Sequence, residues 1–252
     1  MTLGQIRSSY TGQLIINGGG VKAQADGIAD ILAPNANLKI TTSGGIGTVG
    51  NPLEIQVKNM DIWNTDIGTS AIVVEQFGSL DVSQIRQQAS GALDIRTISG
   101  SINVLDLGGA LADGISATSG SVSLYAGAGA LALHEDITTT GGGVSVVAEL
   151  GDILLDSGIR VNAGQVAGVD RPTGDILVRA ANGSILTAAS AAQWLKDGAN
   201  FDADAIWALV NGRYEVNVGT GQITARNLTT SEMFTQNLVE FQSLRDAGGA
   251  YL

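Results

Sequence analysis

The sequence of 252 residues contains no cysteine and only one histidine, His134. Without cysteine, the chain cannot form a disulfide scaffold or a thiolate site for metal or redox chemistry. A single histidine also excludes metal sites built from several imidazole ligands. The lack of cysteine leaves the compartment open, because many exported bacterial proteins also avoid it.

Charged residues are also scarce, at 15% of the chain, and the 13 basic side chains stand against 24 acidic ones, for a formal net charge of −11. This balance excludes the basic surface that nucleic acids require and the Lys/Arg clusters that hold proteins on anionic lipid. No apolar run approaches the length of about 18 residues that a membrane span needs. Residues 1–20 show no basic-then-apolar signal pattern, so we expect a fragment or export without an N-terminal signal here.

Aromatic residues (4%) and proline (3 residues) are few, whereas glycine is abundant at 35 residues. The apolar residues are mostly Val, Ile, Leu and Ala, a mixture typical of many short strands and turns. The stretch 91–104 shows the pattern: Gly91-Ala-Leu-Asp-Ile and Gly100-Ser-Ile-Asn-Val each alternate apolar and variable residues after a glycine. Such alternation predicts a short strand with one buried face.

The paired pattern recurs, always with the second glycine nine positions after the first. The five pairs are Gly91/Gly100, Gly120/Gly129, Gly142/Gly151, Gly174/Gly183 and Gly212/Gly221. The first glycines are 29, 22, 32 and 38 residues apart. Two strands with a fixed corner and a third segment of variable length predict an all-β fold, a single-stranded right-handed parallel β-helix of roughly 22–38 residues per coil. The predicted inward core residues are Leu93, Ile95, Ile102, Val104, Val122, Leu124, Leu131, Leu133, Val144, Val146, Ile153, Leu155, Ile176, Val178 and Ile185, followed in the fifth pair by Tyr214, Val216 and Ile223.

We expect one β-solenoid domain over residues 1–252, with less regular coils in 1–70, regular coils in 71–226, and a helical cap or the start of another coil in 227–252. Third strands are predicted at 114–117, 136–138 and 158–161. About ten coils would give a rod roughly 50 Å long at ~4.8 Å per coil.

Two stretches depart from the strand pattern. Residues 189–210 carry helix start and stop signals, which predict a helical excursion from the third side of the coil. Residues 231–246 place apolar side chains near helical spacing after Ser231, a candidate N-cap. Leu154, Leu177 and Leu186 occupy outward positions although they are apolar, and we expect the excursion to fold back over them.

Few motifs point to catalysis or to nucleotide binding. Gly45–Gly50 matches G-x-G-x-x-G, but a turn and a strand follow it, whereas the dinucleotide fingerprint opens a helix. His134 is interpreted as a polar corner residue rather than a catalytic base. The candidate carboxylates of a polysaccharide-cleaving β-helix are Asp81, Asp94, Asp152, Asp156 and Asp175. Asp152 and Asp175 follow the glycines of different strands and are predicted on different faces, and no stacked cluster of acids with Arg or Lys is predicted.

No cofactor is predicted. A Ca²⁺ site at a corner stays open as an alternative, with the acidic pairs Glu135-Asp136 and Asp202-Ala203-Asp204 but no calcium motif behind it. The three tryptophans could stack on sugars, but core packing is the favoured interpretation for Trp63, Trp194 and Trp207.

The glycine-headed strands, with the segments Gly45–Glu54 and Gly142–Leu155, resemble the filamentous-haemagglutinin-like families of giant bacterial adhesins over residues 38–226 or so. Residues 33–38, Ala-Pro-Asn-Ala-Asn-Leu, depart from the N-P-N-L-type motif of the secretion domain in those families, so this chain is not identified as that domain. The resemblance implies a non-catalytic stalk or display rod of an extracellular or cell-surface bacterial protein. Its partners would be other segments of the same polypeptide, a host or matrix glycan or protein, or further copies stacked end to end. A glycan-binding or glycan-cleaving β-helix and a self-assembling filament subunit remain the alternatives.

Overall fold

The computed structural model describes residues 4–24, 27–108, 114–156, 161–163, 176–183, 185–187, 214–218, 222–227 and 233–237. Regular structure in these residues is entirely β-strand, and the strands stack in parallel as a β-solenoid of about six turns. The predicted all-β solenoid is confirmed, and the described part accounts for about six of the roughly ten coils expected from the whole chain. No helix in that part has the length and apolar character needed to cross a bilayer.

The first face of the solenoid is made of five-residue strands that pair in parallel, each with the strand one coil earlier. Leu93, Val122, Val144 and Ile176 stack in register, at the sequence intervals predicted from the glycines of the first four pairs. The strands are β5 (Ile72–Gln76), β7 (Leu93–Thr97), β10 (Val122–Ala126), β13 (Val144–Ala148) and β16 (Ile176–Ala180).

The second and third faces are made of shorter strands. The second face contains β8 (Ile102–Val104), β11 (Leu131–Leu133), β14 (Ile153–Leu155) and β17 (Ile185–Thr187). The third face contains β9 (Gly114–Ala117), β12 (Ile137–Thr139) and β15 (Val161–Ala163). The predicted third strands at 114–117 and 136–138 are thus present. Of the one placed at 158–161, Val161 belongs to β15, and 158–160 lie outside the described residues.

The earlier coils use longer strands that continue from one face to the next. These are β3 (Ile31–Thr42), β4 (Leu53–Asn64) and β6 (Leu80–Gln87), preceded by β1 (Ile6–Arg7) and β2 (Gln13–Gly18). Register shifts between Ala33 and Asn37, and between Met60 and Asp61, mark where these strands turn a corner. Such irregularities bend a strand without ending it, so a glycine is not needed there.

The last described strands reverse direction. β18 (Tyr214–Val218) pairs antiparallel with β16, and β19 (Gln222–Asn227) and β20 (Met233–Asn237) follow as an antiparallel meander. The fifth glycine pair was predicted to form another parallel coil, and this prediction is wrong. Alternation specifies which side chains share a face but not the strand direction, because parallel and antiparallel partners accept the same alternation.

The helix predicted over 231–246 is also wrong where the structure describes it, since residues 233–237 form β20. The backbone of this segment bonds to β19, and this pairing overrides a weak helical spacing of four apolar residues. The excursion predicted at 189–210 lies outside the described residues.

One apolar column runs through the centre of the stack. The fifteen predicted inward residues from Leu93 to Ile185 all belong to this core cluster, and none is more than 5% exposed. Each coil contributes one layer of the column, so its apolar side chains are buried only against the coils before and after it.

Glycine heads these strands because consecutive coils approach each other closely at the corners. A methyl group on Gly120 would collide with the carbonyl oxygen of Gly91, and one on Gly142 with the backbone of Gly120. At the other corner, Gly100 would collide in the same way with Gly78 and Ser79. The fixed spacing of nine therefore reflects two corners where only a residue without a side chain fits.

Buried polar side chains fill the corner after the third face. Asn64 donates from Nδ2 to Oε1 of Gln87 at 2.7 Å and to Oγ of Ser70 at 3.0 Å. Gln87 in turn donates to the carbonyl oxygen of Ser70 at 2.7 Å. Two coils later, Thr139 donates from Oγ1 to the carbonyl oxygen of Gly120 at 2.8 Å. The bonds to Ser70 and Gly120 carbonyl oxygens satisfy backbone groups of the turns, and the bonds from Asn64 satisfy its buried amide.

Candidate functional site

The segment Gly45–Gly50, which matches the dinucleotide fingerprint, is a turn of the solenoid. The amide of Ile46 donates to the carbonyl oxygen of Ala71 at 2.8 Å, and that of Gly47 to the carbonyl oxygen of Val21 at 2.9 Å. The strand β4 follows, as the sequence indicated. Amides that bond to neighbouring coils cannot cradle a phosphate, and no helix N-terminus follows to support one.

His134 lies directly after β11, at the corner between the second and third faces. Its Nδ1 lies 3.0 Å from Oδ2 of Asp156, which occupies the equivalent position after β14. Both side chains are substantially exposed, at 40% and 50%. The pair links two successive coils at the surface.

Two of the candidate carboxylates, Asp81 and Asp94, lie on different faces and bond to neighbours on their own face. Asp81 lies on the second face and accepts a bond from Nδ2 of Asn103 at 3.0 Å. Asp94 lies on the first face, 2.6 Å from Nη2 of Arg96. Asp152 and Asp156 flank β14, and Asp175 lies outside the described residues. The structure therefore does not bring Asp81 and Asp94 together into a pair.

Within the described ranges, no three His, Cys, Asp or Glu side chains are grouped so that they could hold a metal ion. The acidic pair Glu135-Asp136 lies between β11 and β12. The second pair, Asp202-Ala203-Asp204, falls on residues that are not described.

An outward polar ladder runs along the second face and ends abruptly. Asn37, Asn59, Asp81 and Asn103 stack in register from β3 to β8. The next positions are Ala132, which is buried, and Leu154, which is 39% exposed. The surface of the second face thus changes from amide and carboxylate groups to apolar groups toward the later coils. The segment predicted to cover Leu154 lies outside the described residues.

The third face presents a different outer surface, and alternation along β4 sets its main feature. Ile62 and Asn64 are buried, so Trp63 between them points outward and is 43% exposed. The interpretation of Trp63 as a core residue is therefore wrong. β4 passes the register shift at Met60/Asp61 before it reaches Trp63, and this shift hides the side chain's orientation from the sequence.

Polar and charged side chains surround this indole. Thr41, one coil earlier, and Arg86, one coil later, are its register partners in the same outward column. In the adjacent column, Nζ of Lys39 forms an ion pair of 2.8 Å with Oδ2 of Asp61. We call the surface formed by Lys39, Thr41, Asp61, Trp63 and Arg86 the third-face patch.

Arg86 supplies the uncompensated charge of the third-face patch. Its guanidinium takes part in none of the ion pairs or side-chain hydrogen bonds found among the described residues. Lys39 is neutralised by Asp61, so the local balance of the patch is positive in a chain whose net charge is −11. An exposed indole next to a free guanidinium can stack on a flat partner and bind an anion in one place.

Comparison of the chain with known protein families, with curated proteins and with solved structures finds no match. The resemblance to filamentous-haemagglutinin-like adhesins therefore stays a prediction that the solenoid fold agrees with but does not establish.

Proposed function

We propose that the chain is a non-catalytic rod segment of a large extracellular bacterial surface protein, where it spaces or displays adhesive parts. The observation that carries this proposal is the continuous apolar column, in which each coil is held only by its neighbours. Such a design gives length in proportion to the number of coils and leaves every outer face free.

The placement of the acidic side chains also supports a structural role. Glycan cleavage uses two carboxyl groups about 5–10 Å apart across one bond. Asp81 and Asp94 instead lie on different faces, each bonded to a neighbour on its own face. A glycan-cleaving enzyme remains the alternative that an activity assay must address.

The first experiment is a reducing-end assay on the purified chain with a panel of neutral and acidic polysaccharides. We expect no release of reducing ends over the buffer blank. Turnover that disappears in Asp81→Asn or Asp94→Asn, but not in Asp66→Asn as a surface control, would replace the rod proposal with an enzyme.

The second experiment concerns location. Antibodies against the chain should label intact cells of the organism that produces it as strongly as permeabilised cells. Labelling that requires permeabilisation would contradict a cell-surface role.

Self-assembly into filaments is less well supported by the arrangement of strands. A parallel stack could add a second copy at an open strand edge. On the first face, however, β18 pairs antiparallel with β16, so that edge is already occupied by a strand of the same chain. Electron microscopy of the purified chain should accordingly show single particles, and long filaments would favour the alternative.

A further inference from the structure

The third-face patch combines two groups that the rod proposal does not use. Trp63 is a large side chain with 43% of its surface exposed, on a strand whose other long apolar side chains are buried. Arg86, its register partner on the next coil, is a cation without an ion-pair partner among the described residues. Neither arrangement contributes to the core, so both are available to a ligand.

We propose that the third-face patch binds an acidic polysaccharide, with a sugar ring on the indole of Trp63 and a sugar carboxylate on the guanidinium of Arg86. This inference rests on the rod proposal and names the adhesive ligand class of that rod. The two side chains lie in one column on adjacent coils, which are separated by about 4.8 Å. That distance is close to the dimension of one sugar ring, so a single residue of the glycan spans both groups.

The chemistry of each contact selects the ligand. The flat apolar face of a sugar ring matches an indole, which is amphipathic and loses little entropy on binding. A carboxylate accepts two parallel bonds from a guanidinium, a stronger and more directional contact than a hydroxyl can make. The hydroxyl of Thr41 and the Lys39–Asp61 pair flank the indole and offer further donors and acceptors to sugar hydroxyls.

The composition of the patch argues against a protein or a nucleic acid as the occupant. A stable protein interface has a core of several apolar side chains and buries at least about 1,000 Å². Here one indole stands among polar and charged neighbours. Nucleic acid would require several cations along its phosphates, whereas Arg86 is the one unpaired cation of this patch.

The experiment is a titration of the purified chain with carboxylated oligosaccharides: an oligogalacturonate, a hyaluronan fragment and a sialylated oligosaccharide. The methyl ester of the oligogalacturonate is the matched neutral probe. Tryptophan fluorescence and calorimetry both report binding. We expect at least one of the three acidic probes to bind weakly. If the oligogalacturonate binds, its methyl ester should bind about tenfold less tightly.

Variants assign the contacts. Trp63→Ala and Arg86→Gln should each weaken binding of the acidic probe about tenfold, and Trp63→Phe should retain part of it. The matched controls lie on the first face: Tyr125→Ala removes an aromatic side chain that is 37% exposed, and Arg96→Gln removes a guanidinium that pairs with Asp94. Both controls should bind like the unmodified chain. Arg86→Gln is a surface change, so it tests the contact even if Trp63→Ala fails to fold.

Failure to bind any of the acidic probes would overturn the inference. Equal binding of the oligogalacturonate and its ester, or unchanged binding by Arg86→Gln, would overturn the assignment of a carboxylate to Arg86. None of these three outcomes bears on the rod proposal. The rod proposal fails instead if the unmodified chain releases reducing ends or if the native protein is not on the cell surface.

Discussion

The early and late coils of this solenoid turn their corners in different ways. β3 and β4 each continue for 12 residues across two or more faces, with register shifts at the bends. From Gly91 onward, the strands of the first and second faces end at corners, and those from β7 to β14 each begin after a glycine that lies against the backbone of the coil before. Inside both regions, however, the same apolar column is buried to the same extent.

The comparison separates what holds a coil together from what shapes it. Apolar burial is common to both regions and supplies the stability. The corners differ between the two regions. The strand bends of the early coils use register shifts and buried amide side chains, whereas at the late corners neighbouring coils lie so close that only glycine fits. Substitutions in the column should therefore act alike in both regions, whereas substitutions at corners should act differently.

The largest effect is expected in the column. Ile153→Asp in the late coils and Ile62→Asp in the early ones each bury an unpaired carboxylate where the present side chain is 0% exposed. Each should cost about 3–5 kcal/mol or prevent folding. The control is Leu154→Asp, because Leu154, the residue after Ile153, is 39% exposed and its position should tolerate a charge. Chemical denaturation followed by circular dichroism measures the difference, and equal stability of Ile153→Asp and Leu154→Asp would contradict the inward assignment.

The next effect should appear only at the glycine corners. A methyl group at Gly100 meets backbone atoms of Gly78 and Ser79, whereas one at Gly78 meets nothing within 4 Å. Gly100→Ala should cost about 3 kcal/mol through forced displacement of one coil. Gly78→Ala should be neutral or slightly stabilising, since alanine restricts the unfolded chain. Thermal melts of the two variants give the comparison, and equal losses of stability would show that close approach is not the reason for glycine.

Buried amides define the early corners, so their removal should cost more than removal of the late threonine. Asn64→Leu leaves Oε1 of Gln87 and Oγ of Ser70 without their donor, an expected loss of about 2 kcal/mol. Thr139→Val removes one bond to the carbonyl oxygen of Gly120 and should cost about 1 kcal/mol. Urea denaturation of both variants tests this order, and the reverse order would contradict the assigned role of Asn64.

The smallest effect concerns the acid at the same early corner. A hydrogen bond from the side chain of Ser70 and one from the amide of Gly68 lower the pKa of Asp66 below its ordinary value. A folded pKa below the unfolded one stabilises the fold at neutral pH, and this contribution is lost as the pH falls through the folded pKa. A carboxyl titration by NMR should show the lowered value and a rise toward the ordinary one in Ser70→Ala. An unshifted Asp66 would show that the bond is not populated in solution.

The sequence predicts the late coils well because their corners require glycine, and the glycines are visible in the sequence. The glycine intervals reproduce the stacking of Leu93, Val122, Val144 and Ile176, since a parallel pair in register repeats its pattern at the coil length. The bends inside β3 and β4 use ordinary residues, so the sequence does not show how far these two strands extend. The direction of β18 cannot be predicted from the sequence either, because parallel and antiparallel strands show the same alternation of apolar and polar residues.

The third-face patch also could not be predicted from the sequence. Trp63 and Arg86 are 23 positions apart in the sequence and become neighbours only through the register of β4 and β6. That register depends on the shift at Met60/Asp61, and no local sequence motif predicts this shift. Burial of each inward residue could be predicted from alternation alone, whereas a surface made of side chains from different coils requires the stack.

The nearest-neighbour stacking also has a mechanical consequence. When the two ends of such a stack are pulled apart, the terminal coil can detach while the remaining coils keep their contacts with one another. The coil from Val122 to Val144 spans 22 residues, and its release would add about 75 Å of extended chain. A solenoid of this kind would therefore lengthen under load in steps, one coil at a time.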